Sequence, residues 1–551
     1  MHSLYKDLDT LVSPDTPPLA RELQKSPDIF ATPDIRLCSR SKSEVSKLFP
    51  NTYNNPYLKF SHEERKSSHP IKVGVMLSGG PAPGGHNVIW GLLHSIKSFH
   101  PESTLLGFLD NGTGLINNRT IEISDSLMKQ FCNSGGFNCI GTGRTNIITE
   151  DNKAACLKTV KKLNLDGLVI IGGDGSNTAT AILAEYFSTH YPKISVVGVP
   201  KTIDGDLQHL FLDITFGFDT ATKFYSAIIS NIARDVLSCK AQYHFIKLMG
   251  RSASHIAFEC ALQTHPNITL IGEEIADKNI PLNQIIHKIC KIIADRAAIG
   301  KYYGVVLIPE GIIEFIPEIN NLVKEIAKIS GADNKISALS LESQNLLKDF
   351  PESIVYQLLN DRDAHGNVYV SKIPVDKLLI HLVNNYLKKH FKSVPFNATS
   401  HFLGYEGRTG LPTKFDNTYG YNLGYGSGVL VYNRCNGYLT ALEGLTNIVE
   451  KWKLRAIPIV QMFTTQEKSD GTIQPLIRKH LIDIGSTAFR KFKLYRKIWA
   501  LEDSYRFTGP VQTEVPPEVH ADNFPPLMFL LNHEEWKKRC SICLEIPDGN
   551  Y

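Results

Sequence analysis

Two stretches hold the side chains best suited to chemistry, Val169–Thr178 (VIIGGDGSNT) and Pro200–Leu207 (PKTIDGDL). In the first, Leu168–Ile171 is an apolar run of the kind that forms a buried parallel strand. Gly172, Gly173 and Gly175 surround Asp174, and a helical pattern opens at Ser176–Asn177, both good N-cap types. A strand, a glycine turn and a helix N-terminus together make an anion site, because unpaired N–H groups and the helix dipole converge there. An aspartate beside that anion suggests a divalent metal carried on phosphate oxygens. Alone, the motif reads equally as a plain turn with a solvated aspartate. The second stretch adds Lys201, Thr202, Asp204 and Asp206 at the end of another buried run, Ile194–Val199. Polar groups at the carboxyl ends of neighbouring strands mark the ligand crevice of open α/β sheets. Of the two carboxylates, one can take a proton and the other can hold a metal or a substrate hydroxyl.

These residues need a scaffold, and the rest of the chain supplies one. Ile71–Leu77 (IKVGVML) is the first convincing strand, followed by the glycine-rich Ser78–Asn87 (SGGPAPGGHN) and a helical pattern. The loop, with Gly79 and Gly80, is neither GxGxxG nor a Walker sequence, so the dinucleotide and P-loop readings fail there. A third glycine turn follows at Gly141–Asn146 (GTGRTN), and FIKLMGRSASH closes a further strand near residue 250. Alternating strand and helix signals up to that point predict a doubly wound parallel sheet. Met249, Gly250 and Arg251 stand at a strand end, where a guanidinium suits a phosphate. The helix after them carries Ser254, His255 and Glu259. A second α/β unit has strands expected at Thr269–Ile271 and Tyr303–Ile308, the latter leading to Glu310. Amphipathic helices mark a mostly helical insertion over about 315–400. The α/β pattern resumes at His401–Arg408 (HFLGYEGR), which holds Tyr405 and Arg408. Expected boundaries are an irregular N-terminal extension at 1–68, α/β domains at 69–250 and 251–480, and a C-terminal segment at 481–551. The extension is expected to wrap the body. The part beyond about 440 is expected to be helical, then proline-rich.

Composition limits the alternatives. The 551 residues are 42% hydrophobic and 21% charged, typical of a folded globular protein with more than one domain. A net charge of +4 gives no electrostatic case for nucleic acid or a membrane surface. The ten cysteines are scattered, and Cys540–Cys543 is a lone CxxC, so free thiols in a reducing compartment are expected rather than a zinc site. The N-terminus has early acids and prolines without an apolar core, and nowhere do 18 apolar residues run together. The expected location is the cytoplasm.

SGGPAPGGHN, GGDGSNT, PKTIDGDL, GFDTATK, FIKLMGRSASHIAFECALQTHPN and GYEGR, in this order, resemble the phosphofructokinase family, specifically its long-chain pyrophosphate-dependent branch. The resemblance spans about residues 70–480. It implies two Rossmann-like domains with the active site in the cleft between them, Mg2+ dependence, and a homodimer. It also implies phosphorylation of fructose 6-phosphate at O1 to give fructose 1,6-bisphosphate. Carried over residue by residue, it implies that Gly79, Gly80, Gly173, Gly175 and Ser176 bind the phosphoryl donor and that Asp174 holds Mg2+. It gives Asp204 as proton acceptor, with Thr202 and Asp206 around the sugar hydroxyl. Met249, Gly250 and Arg251 would contact sugar and transferred phosphoryl, Arg251 and Lys201 acting in catalysis. Glu310 would meet sugar hydroxyls, and Tyr405 and Arg408 the 6-phosphate. Two departures stand out. Gly175 replaces the second aspartate with which the branch excludes ATP, whereas Lys201, its cation for the departing phosphate, is kept. Ala241–Gln242 replaces a Lys–Tyr pair that reaches a partner's substrate, with Lys240 one position away. Pyrophosphate is therefore the expected donor and ATP the alternative. A non-catalytic regulatory subunit would have lost Asp174 or Asp204, and a dehydrogenase would need the missing GxGxxG.

Overall fold

The computed structural model describes residues 16–24, 29–34, 42–63, 68–329, 336–362, 368–467, 473–508, 528 and 532. Its strands are β1 (Ile29–Pro33), β2 (Leu58–His62), β3 (Lys72–Leu77), β4 (Thr104–Phe108), β5 (Thr120–Glu122), β6 (Gly167–Gly172), β7 (Ser195–Pro200), β8 (Tyr243–Leu248), β9 (Ile268–Thr269), β10 (Gly304–Pro309), β11 (Ala398–Leu403), β12 (Tyr438–Glu443), β13 (Lys453–Pro458), β14 (Phe463–Glu467) and β15 (Ile473–Ile477). Nine of them form one sheet in the order β1-β2-β13-β12-β7-β6-β3-β4-β5. The central strands β12, β7, β6, β3 and β4 are parallel. Antiparallel strands extend both edges, β13, β2 and β1 on one side and β5 on the other. A second sheet, β11-β8-β10-β9, is parallel throughout. Both β6 and β7 are buried at every position, as strands covered by helices on both faces must be.

Sheet membership departs from the linear division at residue 250. FIKLMG, expected to close the first sheet, forms β8 and pairs with β10 and β11 in the second. Helix Phe218–Cys239 makes that crossing, and helix Lys414–Tyr432 brings the chain back, so that β12 joins the first sheet beside β7. Among the described residues after 440, strands β12 to β15 precede helix Thr487–Trp499, with short 3₁₀ turns at Val449–Lys451 and Ile459–Met462, so the region expected to be helical begins as strand. The described residues of the N-terminal extension are likewise less irregular than expected, because β1 and β2 continue the large sheet. The proline-rich stretch after 508 and Cys540–Cys543 lie outside the described residues. Helices Pro317–Lys328, Leu341–Lys348, Glu352–Asn360 and Val375–His390 cover the second sheet. Among the described residues no helix is long and apolar enough to cross a membrane.

The returning helix packs very closely on helix Gly85–Phe99. A Cβ on Gly91 would lie 2.0 Å from the Tyr421 carbonyl oxygen, and one on Gly424 would lie 1.9 Å from that of Val88. Glycine alone permits this approach. The two crossover helices are also pinned at their starts. Buried Asp416 accepts from the Gly217 and Thr220 amides at 2.8 Å each, and Asp219 accepts from Thr413 Oγ1 at 2.7 Å.

Candidate active site

The carboxyl ends of both sheets face one cleft of about 1080 Å³. Every residue singled out above for a donor, metal, catalytic or substrate role lines it. From the large sheet, the tips of β3, β6 and β7 arrive side by side. The loop after β3 is tied to the third glycine turn, since Gly79 N donates to Gly143 O at 2.9 Å and Thr142 Oγ1 donates to Gly79 O at 2.7 Å. That link brings Arg144 to the cleft wall. At the tip of β6 the helix begins at Asp174, two residues earlier than its sequence pattern predicts, with Gly173 at the N-cap position. Asn177 does not cap it. Its side-chain amide donates back to Gly172 O and Gly173 O at 2.7 and 2.9 Å, closing the turn instead. Ser176 Oγ donates to Ser78 Oγ at 2.8 Å and joins this turn to the first loop. Asp174 Oδ1 accepts from the Gly175 amide at 2.8 Å.

After β7, Lys201 Nζ donates to Gly80 O at 2.7 Å. Thr202 Oγ1 accepts from Asp204 N at 3.0 Å and lies 3.4 Å from Asp206 Oδ1, so one hydroxyl organises the loop of both carboxylates. The second sheet provides the opposite wall. Met249, Gly250 and Arg251 follow β8, and Glu310 follows β10 with its amide on Leu248 O at 2.8 Å. Gly250 has φ +118°, a conformation that side-chain-bearing residues avoid, and this turn aims the chain into the cleft. Tyr405 and Arg408 lie in a short 3₁₀ turn after β11, the guanidinium 4.7 Å from the Tyr405 ring centroid. Arg408 also reaches across the cleft, where a Cβ on Gly80 would meet its Cζ at 3.2 Å.

Charge crowding and burial set the protonation of this site. Burial pushes Lys201 down to about 8, helped by the Arg408 charge and opposed by Asp204 and Asp174. Burial raises Asp204, and Arg408, Lys479 and Lys201 pull it back. Asp206 is raised to about 7 by burial and by the charge of Asp204. Glu310 is also raised to about 7, by burial first and Asp204 second, and its buried Oε2 has no hydrogen-bond partner among the described residues. Carboxylates poised in this way beside cations in a cleft are the usual signature of acid–base chemistry. Asp174 offers hard oxygen donors at a helix N-terminus, which suits a Mg2+ ion completed by phosphate oxygens and water.

Sequence reasoning missed several lining residues, among them Arg144, Lys247, Lys372 and Lys479. The GTGRTN turn and the FIKLMGR run were visible signals for the first two. Nothing in the sequence around Lys372 or Lys479 points to a cleft. Conversely, Ser254, His255 and Glu259 turn into the core. Ser254 Oγ accepts from Gly272 N at 2.9 Å, Glu259 accepts from Gln263 and Met528, and burial holds His255 neutral, down to about 3.

Comparison with known proteins agrees with this geometry. The family model described as Phosphofructokinase matches residues 72–430. A pyrophosphate–fructose 6-phosphate 1-phosphotransferase of Treponema pallidum is 41% identical over 537 residues, covering 91% of this chain and 94% of that protein. One from Porphyromonas gingivalis is 40% identical over 497 residues, covering 87% of this chain and 90% of its own length. Among solved structures, a pyrophosphate-dependent phosphofructokinase from Marinobacter aquaeolei aligns with a TM-score of 0.52 at 13% identity. That alignment covers 83% of this chain and 100% of the other, a likeness of fold. The chain belongs to the phosphofructokinase family.

Proposed function

We propose that the protein transfers a phosphoryl group from pyrophosphate to O1 of fructose 6-phosphate, giving fructose 1,6-bisphosphate and orthophosphate, in a reversible reaction. The observation that carries this reading is Lys201 bound to Gly80 O at 2.7 Å, which sets a buried cation between the donor loop and Asp204. Gly79, Gly80, Gly173 and Ser176 would cradle the donor through backbone and hydroxyl groups. Asp174 would hold Mg2+, which when bound neutralises charge on the phosphoryl group in transit. Asp204 takes the proton of the O1 hydroxyl as the new O1–P bond forms and the P–O bond to the leaving phosphate breaks. Thr202 and Asp206 orient that hydroxyl, and Arg251 and Lys201 balance charge on the transferring and departing groups. Glu310, with its unpartnered oxygen, suits a sugar hydroxyl. Met249 and Gly250 line the sugar, and Tyr405 and Arg408 meet the 6-phosphate.

A second reading, ATP as donor, is favoured by one observation. Among the described residues, nothing beyond its own turn of helix lies within 4 Å of a Cβ on Gly175, which leaves open space for a larger donor there. A regulatory role is disfavoured by the presence of Asp174, Asp204, Asp206 and Arg251 on one cleft. The family resemblance supports a homodimer, and the scattered cysteines support a reducing, cytoplasmic location. The test is turnover of fructose 6-phosphate with Mg2+ and each donor in turn. Pyrophosphate-driven formation of the bisphosphate is expected, and its absence with ATP-driven turnover present would hand the donor to ATP.

A further inference from the structure

After β15 the chain runs through Arg478, Lys479 and His480, and Lys479 lines the cleft. This segment is fastened to the loop of the two carboxylates, because His480 N donates to Asp206 O at 2.8 Å. The Lys479 ammonium stands 3.7 Å from Asp206 Oδ2 and also donates to Ser252 Oγ. Ser252 follows Arg251 on the opposite wall. One cation thus touches a carboxylate of the large-sheet wall and a hydroxyl of the small-sheet wall. An exposed lysine pair is ordinarily worth little, but here the Asp206 side chain is only 12% exposed. Two polar contacts then hold the ammonium in place. Lys201 donates to Gly80 O and Arg408 lies against Gly80, and both act on Asp204, whereas the Lys479 charge acts on Asp206 as well. Asp204 and Glu314 are the further acids within the electrostatic reach of Lys479.

We propose that Lys479 is a positioning residue of this active site. It clamps the Asp206 loop to the Arg251 loop, so that the base on one wall and the guanidinium on the other stay in register. The inference rests on the functional reading above and deepens it. In-line phosphoryl transfer gains most of its rate from alignment, and small misplacements are costly. A clamp made of one side chain touching both walls answers that need directly.

The experiment compares wild type, Lys479→Met, Lys479→Arg and Ser252→Ala with fructose 6-phosphate, Mg2+ and each donor, alongside thermal midpoints. Lys479→Met should lower kcat about 10- to 100-fold, the cost usual for an outer positioning contact. The KM of both substrates should stay within about threefold, since neither is bound directly. Lys479→Arg should recover most of the loss, and Ser252→Ala should lower kcat in the same direction by cutting the clamp at its other end. An unchanged kcat in Lys479→Met overturns the proposal. So does a KM for either substrate that rises by more than kcat falls. Should Lys479→Met fail to fold, Ser252→Ala decides, and its unchanged kcat overturns the proposal. Wild type inactive with both donors would sink the functional reading and the clamp with it, whereas active wild type beside unimpaired variants would sink the clamp alone.

Discussion

Lys201 Nζ and the Gly80 carbonyl oxygen, 2.7 Å apart, join the tip of β7 to the loop after β3 and hold a buried cation beside Asp204 and Asp174. Burial lowers this lysine from 10.5 to about 8, so its charge is full below that pH and is lost as pH rises through it. Turnover with pyrophosphate should therefore decline on the alkaline side. Lys201→Arg, which cannot deprotonate, should lose that alkaline limb, and Lys201→Met should lower kcat about 10²–10³-fold, as loss of a preorganised charge-stabilising group does. A kcat–pH profile of the arginine variant that keeps the wild-type alkaline limb would assign the titration to another group.

Asp204 must be ionised to accept a proton, yet burial raises it above its ordinary 3.8. Its neighbour Asp206 reaches about 7, so the acid limb of kcat/KM should lie well above the ordinary carboxylate range. Because the two share a loop, the limb reports the pair, not one residue. Asp204→Ser should lower kcat about 10²–10⁴-fold while fructose 6-phosphate still binds, as measured by protection against thermal unfolding. Near-wild-type turnover in this variant would show that the base lies elsewhere.

The family resemblance implies that Arg408 meets the 6-phosphate of the sugar. Its guanidinium lies against Gly80 and, after burial, heads the charges acting on Asp204. Arg408→Ala should raise the KM for fructose 6-phosphate and also move the acid limb to higher pH, because a cation that favours the carboxylate is gone. A changed KM with an unmoved limb would mean that the side chain leaves Gly80 in the working enzyme.

Gly175 can be substituted without strain, since its φ is not in the left-handed region and an added Cβ meets nothing within 4 Å. An aspartate there would sit in the first turn of helix Asp174–His190, where a negative charge is favourable to the fold. It would repel an α-phosphate but not pyrophosphate, which has none. Gly175→Asp should abolish any ATP-driven turnover, leave pyrophosphate turnover intact or improved, and leave the thermal midpoint unchanged or raised. Steady-state rates with both donors at matched Mg2+ decide the matter; ATP turnover that survives removes this position from donor selection.

The strand tips were legible because each is an apolar run ending in glycine or proline next to a charged residue, so Asp174, Lys201, Asp204, Arg251 and Glu310 could be placed on a crevice from local pattern alone. What sequence order could not reveal was which sheet each strand joins. FIKLMG looks like any buried strand, and only its pairing with β10 and β11 puts it in the second sheet. Lys479 was invisible for a related reason: it follows an edge hairpin, has no glycine turn beside it, and reaches the cleft only because His480 docks on Asp206. Asn177 shows the limit at the scale of one residue, a good cap by type whose side chain instead closes the turn behind it.

The threading of the chain has a consequence for its birth on the ribosome. Until Tyr438–Glu443 emerges, β7 has β6 on one side and an open edge on the other, with every residue of the strand buried in the finished fold. Such an edge is a template for illegitimate pairing. Meanwhile the whole second sheet and its helical cover, lying between β7 and β12 in the chain, can form first as a unit. The nascent protein thus carries its finished second lobe while its first lobe is still missing a seam, and arrest of synthesis between residues 250 and 437 would leave a sticky half-sheet in need of a holding chaperone.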